Sequence, residues 1–127
     1  MNKPNFNHAA LRHWRDAQLL EQENRIENAD QLYGLAAECA LKSALNFSST
    51  CHINHLWGKI RNHPSTDPRL TAVLNGHGTK KYNPFNDWDI SQRYYADGHL
   101  SVDVMDNHKS ATKDIFVAIS LTGVRRK

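Results

Sequence analysis

Apolar side chains recur along this chain at the three-and-four spacing of helices, and no stretch alternates in the two-residue period of a strand. Phe6, Ala10, Trp14, Ala17 and Leu20 share one face of a first helix predicted over about Asn7 to Glu23. A second helix is predicted from about Glu27 to Phe47. Leu32, Tyr33, Leu35, Ala36, Ala37, Cys39, Ala40 and Leu41 make it apolar almost all round, which marks a central, buried helix. Its polar residues Glu27, Gln31, Glu38 and Lys42 fall on one narrow stripe with Gly34 beside it.

A third helix, about His52 to Arg61, turns Ile53, Leu56, Trp57 and Ile60 inward. Asp67-Pro68 reads as an N-cap followed by proline at the first helical position, and Gly76 as the stop of a short fourth helix. Asn86 is a suitable N-cap for a fifth, with Phe85 and Ile90 spaced as a hydrophobic staple and Gly98 as a left-handed terminator. The last helix, about Val104 to Thr122, directs Val104, His108, Ala111, Ile115, Ala118 and Ile119 to the core. The pattern predicts an all-α fold, an antiparallel bundle of five to six helices, in one domain spanning residues 1–127.

Composition narrows the class. The chain has 127 residues, one domain of ordinary size and long enough to bury a single core. A formal charge of +3 leans toward an anionic partner without the excess of a basic nucleic-acid arm. Cys39 and Cys51 make no disulfide framework, and no segment resembles a signal peptide. The longest apolar run, Leu32 to Leu41, is interrupted by Glu38, so no bilayer span is expected. A reduced, cytoplasmic protein follows as the expectation.

The candidate chemistry centres on Arg93 and His99, separated by Tyr94-Tyr95-Ala96-Asp97-Gly98. A guanidinium pairs bidentately with phosphate oxygens, and an imidazole exchanges protons near neutral pH. The plainer reading is a helix C-terminus, with Arg93 on the last carbonyls and His99 in a solvated loop. Glu38 and Lys42 are an i,i+4 pair that either lines a groove or self-association face, where Gly34 admits another backbone, or is a surface ion pair. His52 and His55 have i,i+3 spacing but no third ligand at a recognisable spacing, so no metal or other cofactor is expected. His13 and His108 fall on apolar faces as hydrogen-bonded core residues, with His108 in reserve should it open toward a groove. The tail Arg125-Arg126-Lys127 offers further phosphate affinity or is a frayed terminus.

Together these segments resemble the HEPN domain (higher eukaryotes and prokaryotes nucleotide-binding). Ala29 to Leu45 is similar to the family's Ala-rich helix, with Glu38 four positions before Lys42. His52-Ile53-Asn54-His55-Leu56 is similar to the His-x-Leu type of third helix. Arg93-Tyr94 is similar to the Arg-Tyr pair of nucleotide-binding members, and Arg93-x5-His99 fits the R-x4–6-H motif of ribonuclease members. The likeness covers roughly Arg12 to Leu121, and its motifs are short. It departs from ribonuclease members at Tyr94, where many carry a different polar residue, and at Ser101, where one toxin subgroup carries Tyr.

The resemblance implies a homodimer whose motifs face one cleft and a metal-independent endoribonuclease of toxin–antitoxin or phage-defence type. Arg93 and His99 would be catalytic, with Glu38, Lys42, Tyr94, His55 and His108 around the cleft. Its alternative is a non-catalytic RNA- or nucleotide-binding module. Implied partners are RNA or a nucleotide, a second copy, and an antitoxin or nucleotidyltransferase encoded separately. A third class, a structural bundle holding a partner helix, fits the same pattern without the motif.

Overall fold

A helix that is apolar on nearly every side needs neighbours, and the computed structural model of the chain provides them for all the apolar residues from Leu32 to Leu41 except Leu32 and Leu35, which are half-buried. It describes residues 5–45, 51–62, 69 and 83–119, apart from the side chains of Leu45, Arg61, Asn62 and Arg93. These residues form four α-helices, α1 (Phe6–Gln22), α2 (Ile26–Leu45), α3 (Ile53–Asn62) and α4 (Val102–Ala118), with a 3-10 helix, Ile90–Tyr94, before α4. No strand occurs among the described residues, and the fold is all-helical. None of the helices is long and apolar enough to cross a membrane, among the described residues.

The Asn5 side chain caps α1 by accepting from the His8 amide at 3.1 Å. Asn24, at φ 63°, reverses the chain into α2. α2 packs chiefly on α1 and α4. Trp14 of α1, Tyr33 of α2 and Phe116 of α4 meet at the centre, with Trp14 ring centroids 5.2 Å from Tyr33 and 5.5 Å from Phe116. On α3 the four residues expected inward, Ile53, Leu56, Trp57 and Ile60, are all buried. Thr112 ties α4 to α2, its one hydroxyl proton shared between the Tyr33 carbonyl at 3.0 Å and the carbonyl of His108 on its own helix at 2.8 Å. Ser101 caps α4, its hydroxyl accepting from the Val104 amide at 3.2 Å.

The expected fifth helix is corrected. Residues 84–87 form a turn, and Asn86 caps nothing. Asp89 is the cap instead: its carboxylate accepts from the Ser91 amide at 2.8 Å, while Gln92 returns to the Asp89 amide at 2.7 Å. Only one short 3-10 helix follows, and Tyr95 is extended. Phe85 and Trp88 are both fully buried, so side-chain anchoring to the core overrides the local helical pattern. The expected fourth helix, Asp67 to Gly76, lies outside the described residues except for Arg69, whose guanidinium donates to the Ala44 carbonyl at 2.8 Å. Residues 120–122, where the last helix was expected to finish, lie outside them as well.

Candidate functional site

Between the 3-10 helix and α4 the chain makes a short exposed turn that carries the predicted motif. Gly98 has φ 89°, the left-handed conformation expected of it. Its amide does not close a helix; it donates to Glu27 Oε2 at the start of α2, at 2.9 Å. His99 follows, exposed, with Nδ1 2.9 Å from the Ala96 carbonyl oxygen. A carbonyl only accepts, so Nδ1 carries a proton and Nε2 of the neutral ring holds the lone pair. The Tyr95 ring meets this imidazole edge-on, with centroids 5.2 Å apart. Tyr94 is 76% exposed and Tyr95 55%. Arg93 belongs to the 3-10 helix, and its side chain lies outside the described residues.

Glu38 and Lys42 occupy a different place. The contact at Gly98 is with Glu27, and on α2 Glu38 and Lys42 lie roughly 16 Å and 22 Å farther along the axis at 1.5 Å per residue. One chain therefore does not bring them to the His99 turn. Both side chains are buried and joined at 3.0 Å, with Glu38 Oε1 3.0 Å from His52 Nδ1 and the Lys42 ammonium 5.8 Å from the Phe6 ring centroid. The stripe expected to face a groove or a second copy is covered by this chain. Gln31 donates to the Asp89 carbonyl at 2.8 Å, and the Trp88 indole lies on Gly34, where any Cβ would overlap it. It is a side chain of the same molecule, not another backbone, that uses the space glycine leaves.

His55 is exposed on α3, while its neighbour His52 turns to Glu38. Half-buried His13 is pushed below the ordinary imidazole value by burial and by Arg12. Burial raises the Cys39 thiol to about 11, which removes it as a nucleophile at neutral pH.

The pattern along the chain did not single out Asp30 and Asp87, which the structure brings to His108. The ring is fully buried, with Nδ1 2.5 Å from Asp30 Oδ1 and Nε2 2.6 Å from Asp87 Oδ1. Phe85 stacks on it at 5.7 Å. Burial works to lower its pKa, but the hydrogen bonds and charges of Asp30 and Asp87 outweigh that and raise it. Asp30 Oδ2 has no hydrogen-bond partner among the described residues, so His108 supplies the one side-chain donor to this buried carboxylate. His108 does not open toward a groove.

Comparison of the chain with known protein families, with curated proteins and with solved structures finds no match.

Proposed function

We propose that this chain is a HEPN-like, metal-independent endoribonuclease of a toxin–antitoxin or phage-defence system, acting as a homodimer with Arg93 and His99 at its cleft. The observation that carries the reading is the held imidazole: with Nδ1–H fixed on the Ala96 carbonyl, the lone pair of His99 stands on Nε2, on an exposed turn. Nε2 would take the proton of a ribose 2′-hydroxyl as that oxygen attacks the adjacent phosphorus. The bond to the 5′-oxygen then breaks, and that oxygen takes a proton from water, which is replaced by the one Nε2 accepted. The products are a 2′,3′-cyclic phosphate and a 5′-hydroxyl. Arg93, six residues before His99, would balance the charge that grows on the non-bridging oxygens.

Glu38 and Lys42 take no part in the step; their place is the internal ion pair that His52 covers. Exposed Tyr94 and Tyr95 favour a second reading, a module that binds RNA by stacking and does not cut it. Incubation of purified protein with total RNA and a chelator tests the two. The nuclease reading expects cleavage with cyclic phosphate ends, abolished by Arg93→Ala and by His99→Ala, with the double variant little worse than either. Arg93→Lys is expected to fail too, since an ammonium cannot form the fork. The binding reading expects no cleavage, weaker RNA affinity in Arg93→Ala, and little change in His99→Ala.

A further inference from the structure

Residues 85–99 cross α2 as a strap, and its ties can be named. Trp88 sits on Gly34 and donates from Nε1 to the Asp30 carbonyl at 3.1 Å. Asp89 accepts from Gln31 through its carbonyl at 2.8 Å, and Gly98 donates to Glu27 at 2.9 Å. The fourth tie runs from Asp87 to His108 on α4 and is built of charged groups.

A neutral imidazole has one N–H and one lone pair, while an ionised carboxylate only accepts. Both ring nitrogens of His108 lie within 2.6 Å of a carboxylate oxygen, so the arrangement is satisfied when both nitrogens carry protons. We infer that His108 is a buried imidazolium latch, which holds the 85–99 strap on α2 while doubly protonated and releases it at Asp87 when one proton is lost. The charged groups that act most strongly on the ring are Asp30 from α2 and Asp87 from the 84–87 turn, and both nitrogens are taken by these two carboxylates. Phe85 covers a ring face, and on α4 itself Thr112 accepts no ring proton but donates to the His108 carbonyl.

The two ends of the latch differ in access to water. The Asp30 side chain is 1% exposed and has no other donor among the described residues, so the Nδ1 proton stays on it. The Asp87 side chain is 61% exposed and can be hydrated outside the protein. Nε2 therefore gives its proton to solvent, its lone pair meets the Asp87 lone pairs, and Asp87 turns outward. A folded-state pKa raised above the ordinary one fixes the sign. The latch is complete below the ordinary imidazole value of about 6.5 and is lost as pH rises through the raised value. The strap carries Arg93, Tyr94, Tyr95 and His99, and the latch operates whether or not those residues cut RNA.

Long-range proton–nitrogen NMR of the full chain from about pH 6 to about pH 10, read with solvent exchange of the Trp88 indole proton, tests this. Two ring N–H groups on His108 at neutral pH are expected. A step above the ordinary imidazole range should then lower the protection of the Trp88 indole proton, measured against a free indole at the same pH, about tenfold, as expected for one lost charge-assisted hydrogen bond. Asp87→Asn supplies an amide N–H that can donate to a neutral Nε2. It should lower the His108 titration and keep Trp88 protected through the alkaline range. A single ring N–H in the native chain at neutral pH would overturn the latch. So would a His108 step that leaves Trp88 protection unchanged, or the same alkaline loss of protection in Asp87→Asn.

Discussion

His108 and His99 lie nine residues apart, one within α4 and the other just before it, and their surroundings give them opposite uses. Each nitrogen of His108 is held by a carboxylate, and the ring is closed from water. One nitrogen of His99 is held by a backbone carbonyl, which sets the tautomer and leaves the other for exchange. The first ring is tied into the fold at both nitrogens, whereas the second has the arrangement acid–base chemistry needs. What occupies each nitrogen separates the two, and their spacing along the chain does not.

Stability should divide these histidines most sharply. His108→Ala leaves the Asp30 carboxylate buried without its donor, and a loss of about 3–5 kcal/mol is expected in urea unfolding. His99→Ala, on an exposed turn, should stay within about 0.5 kcal/mol of the native chain. Equal effects would erase the distinction.

Part of that distinction was legible in the sequence. The helical period located α1, α2, α3 and α4 to within a few residues because each has a continuous apolar face. It also placed His108 on the core side, where a polar ring needs a partner. Asp30, one position before the stripe residue Gln31 in an otherwise apolar helix, was the available signal for that partner, since a buried carboxylate needs a donor as much as a buried imidazole needs an acceptor. Asp87 carried no such signal, because it reaches the ring from an irregular turn 21 residues away in sequence. The helix predicted over Asn86 to Gly98 failed for a related reason. Periodicity sees spacing, but Trp88 is fixed by the notch at Gly34 and Asp87 by His108, both long-range contacts. The left-handed backbone at Gly98 was legible, but as the stop of a helix that does not form, and its amide goes to Glu27 instead.

Gly34→Ala addresses the strap that links the two histidines. The added methyl overlaps the Trp88 indole and displaces its bond to the Asp30 carbonyl, so a cost of about 1–3 kcal/mol is expected, with Trp88 fluorescence shifted toward that of a solvated indole. An unchanged melting curve and emission would show that Trp88 does not need the notch. Ser101→Ala, which removes the hydroxyl capping α4 between the two histidines, should cost about 1 kcal/mol and leave both ring environments intact. Loss of the His108 ring hydrogen bonds in that variant, read by NMR, would mean the two regions are coupled through the helix start.

RNA cleavage by His99→Ala, measured in chelator beside the native chain, is the most direct measurement of whether the open nitrogen performs chemistry. The native chain is expected to leave 2′,3′-cyclic phosphate ends, and the variant, with unchanged helicity and unfolding midpoint, to leave the RNA intact. Cleavage at the native rate by a folded His99→Ala protein would contradict the assignment of the acid–base role to His99.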